Sequence, residues 1–342
     1  MINKTNIYFA EKKYGGIQSH VETLTQLENK NNINSKKINA ENQKKFFFLG
    51  RKWIVRSSFI RKLKKYNIVH VHGYMPECLY LIFVVKIILP SLVIIWTPHY
   101  HSHKNTSRPL LAWIYRLIAI SYINKKSDYI WFLSKKEFKE MITKKISSKK
   151  ILIIPSGHSY KNYQQKSFNK KYFAINIARN SLNKRLDWFV KLSNEIKTSK
   201  FCLITSSKSN IPKKSNIDIY INPVDKIKEK LIRKSSFFVQ TSIYEAYGIS
   251  AAECETIGVP AVINENSIYG NIKKNKQINW LKYSSKNFNS LLNICKKLTL
   301  MKKNDYMKLS KQRIDYARGL SFENNFVYFL NKLKLIEKKY KL

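Results

Sequence analysis

The chain has 342 residues, which is enough for two ordinary domains, and 44% of them are hydrophobic, which is enough to build a core in each. Its 64 Lys and Arg residues outnumber its 21 Asp and Glu residues, and the formal net charge is +43. Such a charge attracts nucleic acid, anionic lipid and phosphorylated ligands, but AT-rich coding would also produce it, so the charge alone identifies no partner.

The first half of the chain alternates short apolar strands with helices. A Gly15-Gly16 pair separates the first strand from the first helix, and residues 30–45 are expected to form a loop or a weak strand. The predicted strands are 6–10, 46–49, 67–73, 92–96, 128–134 and 150–157, and the predicted helices are 17–29, 57–66, 79–89, 108–127 and 135–143.

One segment, Leu79 to Trp96, is apolar enough to consider as a membrane span. Lys86 and Pro90 interrupt it, so a buried helix followed by a buried strand is expected instead. The first residues of the chain are too weakly apolar for a signal peptide. The four cysteines form no C-x-x-C pair and are expected to be core residues in a reducing compartment.

The second half alternates more regularly. Strands are predicted at 172–178, 201–205, 217–221, 237–241 and 260–264, helices at 183–198, 225–234 and 249–257, and one more helix ends the chain. Short apolar strands separated by helices indicate parallel sheets covered on both faces. We therefore expect an α/β protein with two doubly wound, Rossmann-like domains at 1–157 and 158–320, and a C-terminal helix at 321–342 that packs back on the first domain.

Ligands of doubly wound domains bind at the carboxyl ends of the strands, so the residues that follow strands are the functional candidates. In "ARNSLNKRLD", Arg179 and Lys184 lie five positions apart in a strand-to-helix turn. Two cations there can neutralise a diphosphate, to which a helix N-terminus also donates N–H groups. The alternative is a solvated basic turn, which is common in a chain so rich in lysine.

The stretch "YEAYGISAAECETIGVPAVIN" (244–264) places acidic residues around one short helix in a chain that has few of them. Gly248 is expected to end the loop and Ile249 to begin the helix, so that Glu253 can accept hydrogen bonds from a ribose diol. Glu245 lies on the loop, and the N–H groups near Tyr247 are available to an anion. The alternative is that these acids only stabilise a helix N-terminus.

The first half offers glycine and histidine candidates. Gly15 and Gly16 form a turn where the backbone can approach a phosphate, although a single glycine pair is weak evidence. His99 follows a strand and is the better candidate for contact with a sugar, whereas His70 is expected to be a core residue with satisfied hydrogen bonds. The alternating "HYHSH" run lacks carboxylates, which disfavours a metal site there.

Taken together, these motifs resemble the family 4 glycosyltransferases of the GT-B fold, with an E-x7-E signature, over nearly the whole chain. "GGIQSHV" resembles the family's glycine-rich loop, "NIVHVHG", "WTPHYH", "SDYIWFLSKKE" and "IIPSGH" resemble first-domain elements, "ARNSLNKRLD" resembles the donor-phosphate motif, and the 244–264 stretch resembles the signature. Ala178 and Arg185 stand where glycine is usual, Ser156 replaces an asparagine, and the first domain is shortened around 30–45.

The resemblance implies roles for these residues. Arg179, Lys184, Gly15 and Gly16 would bind the donor phosphates, and Glu253 the ribose. Glu245 and His99 would act at the transferred sugar, which the backbone of Tyr247, Gly248 and Ile249 would line.

The implied reaction is a retaining, metal-independent transfer of a hexose from a UDP or GDP sugar to a hydroxyl of a lipid-linked glycan acceptor. A surface polysaccharide such as capsule or lipopolysaccharide would be the product, and no cofactor would be needed. We expect a cytoplasmic protein at the inner face of the membrane, because the basic, aromatic helix 108–126 suits an anionic surface. The alternatives are an epimerase or phosphorylase of the same fold, or a non-catalytic polyanion- or membrane-binding protein; no nucleic-acid motif is present.

Overall fold

A computed structural model describes residues 2–9, 16–40, 44–47, 51–55, 57–99, 109–141, 147–155, 170–207, 211, 216–243, 245, 247–267, 269 and 281–341. The chain divides into two compact units, one formed by Met1–Ser159 together with Phe322–Leu342 and the other by Tyr160–Ser321. Each unit contains a six-stranded parallel sheet with helices between its strands, so the prediction of an α/β protein with two such sheets is confirmed.

The first unit is built on a sheet with the strand order β2-β1-β5-β6-β7-β8, and every adjacent pair is parallel. The central strands β5 and β6 are buried along their whole length, because helices cover both faces of a parallel sheet. The strands are β1 (Asn3–Tyr8), β2 (Asn34–Asn39), β5 (Ile68–His72), β6 (Val93–Thr97), β7 (Tyr129–Phe132) and β8 (Ile151–Ile153), with an antiparallel pair β3 (Lys44–Phe47) and β4 (Arg51–Val55).

The described residues of this unit include the helices α1 (Gly16–Lys30), α2 (Ser57–Leu63), α3 (Pro76–Ile88), α4 (Pro109–Lys126), α5 (Lys135–Met141) and, from the end of the chain, α11 (Phe322–Tyr340). The last helix buries Phe326, Phe329 and Leu333 in a cluster with Leu24 of α1 and Trp131 of β7. The rings of Phe329 and Trp131 stack with their centroids 4.3 Å apart. Helix α11 is therefore part of the first unit although 162 residues of the second unit precede it.

The second unit has the strand order β11-β10-β9-β12-β13-β14, again with all adjacent pairs parallel. Numbered along the unit, this is the order 3-2-1-4-5-6 of dinucleotide-binding folds, and it reverses between β9 and β12. The strands are β9 (Tyr172–Ile177), β10 (Phe201–Thr205), β11 (Ile217–Ile221), β12 (Ser235–Val239), β13 (Ala261–Asn264) and β14 (Lys282–Tyr283). The helices are α6 (Leu186–Glu195), α7 (Asp225–Arg233), α8 (Ile249–Thr256), α9 (Phe288–Thr299) and α10 (Lys303–Arg318).

The apolar segment from Leu79 to Trp96 forms α3 and β6, as predicted. Lys86, which interrupts it, donates from Nζ to Asp128 Oδ2 at 2.9 Å and to the carbonyl of Leu92 at 3.1 Å. The charge within this segment is thus paired inside the first unit. Among the described residues, no helix has both the length and the apolar character that crossing a bilayer requires.

Several elements differ from the sequence-based expectation. The polar region 30–45 contains the paired strand β2 (Asn34–Asn39), which β1 holds in a parallel register. Strand β14 and helices α9 and α10 were not predicted, although α9 begins with an asparagine, Asn287, whose side chain accepts from the N–H groups of Asn289 and Ser290. All four cysteines are buried, in agreement with their predicted place in the core.

Candidate functional site

The candidate donor site lies in the second unit, at the carboxyl ends of β9 and β12, where the strand order reverses. The loop after β9 carries Lys184 and the loop after β12 carries Glu245, and Lys184 Nζ lies 2.5 Å from Glu245 Oε1. Ser242 Oγ donates to the same carboxylate oxygen at 2.7 Å, and Thr241 Oγ1 donates to the carbonyl of Lys184 at 2.8 Å. Crevices at such reversals are where open α/β sheets bind ligands, so the fold brings this ion pair to a position suited to binding.

The two loops are also joined through their backbones, since the N–H of Ile243 donates to the carbonyl of Asn183 at 2.8 Å. Both charged side chains are mostly buried, with 17% of Lys184 and 18% of Glu245 exposed. A pair that is shielded from water and held by fixed loops keeps its geometry without the entropy cost of ordering long exposed side chains. The sequence-predicted residues Lys184 and Glu245 are therefore brought together.

The turn that presents Lys184 differs in detail from the prediction. Lys184 ends a short 3-10 turn, Leu182–Lys184, and α6 begins only at Leu186. The residue between them, Arg185, has a left-handed backbone with φ 46°. Glycine adopts this conformation most readily. This explains why glycine is usual at the position of Arg185 in the donor-phosphate motif. Arg185 stacks its guanidinium 4.4 Å from the ring of Trp188 and donates to the carbonyl of Ser285 at 2.5 Å.

Gly248 directly precedes α8, which begins at Ile249 as predicted, and it too has a left-handed backbone, with φ 89°. A Cβ at this position would lie 3.2 Å from Gln240 Nε2, so both the backbone and the space favour glycine. The N–H groups of the first turn of a helix have no acceptor within the helix. Those of Ile249 and Ser250 therefore remain available for an anion on the loop side of α8.

The three acidic residues of the 244–264 stretch have three different partners, and none lies in the first turn of α8. Glu245 pairs with Lys184, and Glu253 Oε2 lies 2.5 Å from Nζ of Lys228 on α7. Burial lowers the pKa of Lys228, but the Glu253 carboxylate outweighs burial and the pKa is raised overall. The alternative that these acids only stabilise a helix N-terminus is therefore wrong.

Glu255 has a structural role. Its carboxylate is fully buried and accepts from Arg313 Nε at 2.5 Å and Nη2 at 2.6 Å, from the Tyr269 hydroxyl at 2.8 Å and from the Ala261 N–H at 3.0 Å. Burial raises the pKa of Glu255, and Arg313 opposes part of that effect. The buried ion pair of Glu255 and Arg313 links α8 to α10 in the interior of the second unit.

The other predicted residues of this unit are placed as follows. Arg179 follows β9 by two residues and is exposed. Tyr247 is buried, its ring lies 5.6 Å from that of Tyr269 and its hydroxyl donates to the carbonyl of Leu320 at 3.3 Å. The side chain of Tyr247 therefore packs inside the unit, and the role of its backbone in lining a sugar stays a prediction.

In the first unit, His99 follows β6 and lies in a buried group of polar side chains at the carboxyl edge of the sheet. Its Nε2 is 3.3 Å from Nδ1 of His72, the last residue of β5, and its ring centroid is 5.0 Å from that of His20 on α1. Burial, with a smaller contribution from Lys4, lowers the pKa of His20 to about 3, so this imidazole is neutral at neutral pH. His70 is buried as predicted, and its Nε2 hydrogen-bonds Thr97 Oγ1 at 2.8 Å.

Gly16 is the first residue of α1. Gly15, His101, His103 and His158 lie outside the described residues.

Sequence reasoning missed three charged residues: Lys228 and Arg313 in the second unit, and Lys4 in the first. Lys4 lies on β1, is fully buried, and pairs through Nζ with Glu28 Oε1 on α1 at 2.5 Å. Each partner is between 24 and 58 residues away in the chain, so no local spacing links the two. Lys4 stands among polar residues, before the strand predicted at 6–10, so no sequence pattern indicated it.

No protein-family model matches the chain. A protein of Klebsiella pneumoniae described as an uncharacterized 41.2 kDa protein in the cps region is 24% identical over an alignment of 298 residues, and the match covers 75% of this chain and 80% of that protein.

Solved structures are similar over nearly the whole chain. Alr3699/HepE of Anabaena in complex with UDP-glucose has a TM-score of 0.74 at 11% identity and covers 96% of this chain and 99% of its own. Sucrose-phosphate synthase of Thermosynechococcus elongatus has a TM-score of 0.78 at 11% identity and covers 99% and 100%. The lipopolysaccharide outer core galactosyltransferase WaaB has a TM-score of 0.69 at 14% identity and covers 97% and 99%. The predicted GT-B fold is thus confirmed.

Proposed function

We propose that the chain is a retaining glycosyltransferase that moves a hexose from a nucleoside-diphosphate sugar to a hydroxyl of a lipid-linked glycan. The observation that carries this proposal is the meeting of Lys184 and Glu245 at the point where the strand order of the second sheet reverses. UDP is favoured over GDP as the nucleotide, since the similar HepE structures contain UDP, UDP with glucose, or UDP-glucose. The resemblance to family 4 enzymes and to their E-x7-E signature supports the retaining outcome.

Each residue has a role in this proposal. The diphosphate binds Lys184 and the exposed Arg179, and the N–H groups at the start of α8 complete its environment. Glu253 binds the ribose diol. The family resemblance also assigns a donor contact to Gly15 and Gly16, and a contact with the sugar or the acceptor to His99.

In this proposal the donor enters by an exchange of ion-pair partners. In the ligand-free chain, Lys184 and Glu253 both have a protein partner of opposite charge. A diphosphate competes with Glu245 for Lys184, because it carries more negative charge than one carboxylate. Glu245 is then released to face the transferred sugar, and its negative charge stabilises positive charge that develops on the sugar ring.

The chemical step follows from these contacts. The bond between the anomeric carbon and the diphosphate oxygen breaks, and protein cations rather than a metal stabilise the negative charge that grows on the leaving group. The acceptor oxygen bonds to the anomeric carbon from the same face, and the leaving phosphate takes the proton of that hydroxyl. No cofactor is required, and the anomeric configuration is retained.

A sugar-transfer assay tests this proposal. Radiolabelled UDP-sugars would be incubated with the chain and with membranes of cells that lack it, and the extracted lipid fraction would be analysed by NMR for the new anomeric linkage. Lys184→Ala and Glu253→Gln should each lower transfer by at least tenfold with the fold intact. Lys171→Ala is the matched control, because Lys171 precedes β9 and so lies at the opposite end of that strand. Epimerised or phosphorolysed donor as the product, or equal loss in the control, would contradict the proposal.

The glycan would be part of a surface polysaccharide. The similar Klebsiella protein is described by its cps region, and WaaB by its action on lipopolysaccharide outer core. These two descriptions support a surface polysaccharide, and capsule in particular, as the product class.

We also propose that the first unit attaches to anionic membrane through α3 and α4. Helix α4 exposes Leu110, Trp113, Ile114 and Ile118, of which 68%, 41%, 41% and 61% are accessible, and α3 exposes Ile87 and Ile88. Lys125 and Lys126 end α4, and the whole chain carries a net charge of +43. An apolar helix face with basic residues at its end is typical of helices that lie in a membrane interface.

Sedimentation with vesicles tests the membrane proposal. Ile114→Asp with Ile118→Asp should abolish binding to vesicles that contain phosphatidylglycerol. Leu335→Asp should leave binding unchanged, because Leu335 is equally exposed, at 59%, but lies on α11. Binding that persists in the double variant would show that the net charge alone is responsible.

A further inference from the structure

Three histidines from distant parts of the first unit converge at the carboxyl edge of its sheet. His20 lies on α1 directly after β1, His72 ends β5, and His99 follows β6. One ring nitrogen of each lies within 4.8 Å of the corresponding nitrogens of the other two, and all three side chains are buried. The strand order of this sheet reverses between β1 and β5, so the group occupies the position where α/β sheets bind ligands.

Of the three histidines, His20 is the one whose burial is least accounted for by its polar contacts. Only 4% of it is exposed, and neither ring nitrogen has a hydrogen-bond partner in the part of the chain that the structure describes. Its ring is surrounded by other rings, with the centroids of Phe322 and Trp131 at 5.2 and 5.6 Å. Buried polar side chains in proteins nearly always have a partner, so an unpaired imidazole aimed at two others indicates a ligand.

The distances fit a metal ion better than a hydrogen-bonded network. His72 Nδ1 and His99 Nε2 are 3.3 Å apart. Two nitrogens that each lie about 2.0–2.1 Å from one tetrahedral ion are separated by about 3.3 Å. The nitrogen of His20 lies within 4.8 Å of the other two, so a change in its side-chain torsions would have to bring it closer to complete a set of three.

The surroundings also contain the outer contacts that metal-binding histidines usually have. The second nitrogen of His72, Nε2, faces Asn6 Oδ1 at 3.4 Å, and Asn6 Nδ2 in turn donates to Glu28 Oε2 at 2.7 Å. A contact of this kind fixes the tautomer of His72, so that its Nδ1 keeps a lone pair for the ion. The nearby charge of Lys4 is compensated by Glu28, which is fully buried with it.

We infer that His20, His72 and His99 form a binding site for one Zn²⁺-class transition-metal ion, with a fourth position left for water or another ligand. Three neutral imidazoles without a carboxylate or thiolate suit Zn²⁺ rather than Mg²⁺ or Ca²⁺. The site belongs to the first unit, whereas the residues proposed to bind the diphosphate belong to the second. The inference therefore does not depend on the proposed function, and it leaves the proposed metal-free departure of the diphosphate unchanged. It replaces the direct sugar or acceptor contact proposed for His99 with a bond from its Nε2 to the ion.

Cobalt spectroscopy of the full chain tests this inference. Protein freed of metal by chelation would be titrated with Co²⁺, which substitutes for Zn²⁺ and absorbs visibly when its coordination is low. We expect a visible band that saturates at one Co²⁺ per chain and disappears when Zn²⁺ is added. X-ray absorption of the Zn²⁺ form should show three imidazoles at about 2.0–2.1 Å.

Variants identify the ligands. His20→Asn and His72→Asn should each weaken Co²⁺ binding by at least tenfold, whereas His158→Asn, which removes a histidine of another segment, should leave it unchanged. Circular dichroism would establish that each variant is folded, and His20→Gln would replace His20→Asn if the latter is not. A folded wild-type chain without the visible band, zinc with fewer than three imidazoles, or full binding in a folded His20 variant would overturn the inference.

Discussion

The buried pair of Glu255 and Arg313 gives a sharp prediction about stability. Glu255 stands two residues after Glu253 in the signature stretch, yet the structure assigns it to the core of the second unit, with 0% of Glu255 and 2% of the Arg313 side chain exposed. Replacing Arg313 with Met removes the two shortest of the four hydrogen bonds to the carboxylate and leaves the bonds from Tyr269 and Ala261. The carboxylate then remains buried without a counter-charge.

The expected loss in the free energy of unfolding follows from leaving the Glu255 carboxylate without a counter-charge. Removing one partner of a buried ion pair destabilises a protein by about 3–5 kcal/mol, because the remaining charge stays desolvated. For a unit of this size, each kcal/mol lowers the melting temperature by about 2–4 °C, so the second unit should melt about 10 °C lower. Adding Glu255→Gln should recover most of the loss, since Gln keeps an acceptor for the Ala261 N–H and carries no charge.

Differential scanning calorimetry measures these effects, since the two units can unfold separately. Arg318→Met is the matched control on the same helix, because its pair with Asp315 is 3.7 Å long and both side chains are 57% exposed, so a change within about 0.5 kcal/mol is expected. A loss below about 1 kcal/mol in Arg313→Met, or additive losses in the double variant, would refute the reasoning that an isolated buried charge is the cause.

Three further predictions concern single positions of the second unit. Arg185→Gly should be more stable than Arg185→Ala by about 1 kcal/mol in urea unfolding, because both lose the arginine contacts but only glycine relaxes the left-handed backbone; equal stabilities would contradict this. Gly248→Ala should cost about 1–2 kcal/mol and weaken UDP binding in calorimetric titration, since the new methyl group meets Gln240 Nε2. The hydrogen bond from Tyr172, and to a lesser degree Lys171, holds the pKa of Asp218 below its ordinary value. Asp218→Asn should therefore destabilise by about 0.5 kcal/mol at neutral pH, as expected for a half-exposed pair, and the difference should vanish as pH falls below the folded pKa.

The fold was largely predictable because its strands are short, apolar and regularly spaced. Strands β10 and β11 have the predicted bounds, and helix α8 begins after Gly248 as expected, since glycine and hydrophobic patterning act locally. Strand β14 has two residues and is defined only by its pairing with β13. Helix α10 buries Ser310 and Arg313 among its apolar residues, and Arg313 pairs with Glu255 of α8, so the apolar pattern of its buried face is interrupted.

The candidate site was predictable in its composition but not in its pairing. Strand ends suggested Lys184 and Glu245, because ligand sites of α/β sheets follow strands. That Glu253 pairs with Lys228, and that Glu255 is structural, depends on contacts between helices that no spacing encodes. The histidine group is similar, since His20, His72 and His99 meet only because β1, β5 and β6 are neighbours in the sheet.

The central claim is that the second unit binds a nucleoside diphosphate where Lys184 and Glu245 meet, and a thermal-shift titration with UDP, GDP, ADP and CMP tests it most directly. A ligand at a hundred times its dissociation constant stabilises the folded state by about 2.7 kcal/mol, which is a rise of about 5–10 °C in the melting temperature. We predict that UDP produces this rise in the wild type and in Lys171→Ala, but much less of it in Lys184→Ala. If no nucleotide stabilises the folded chain while RNA or anionic lipid does, the positive charge itself is the function and the glycosyltransferase proposal is wrong.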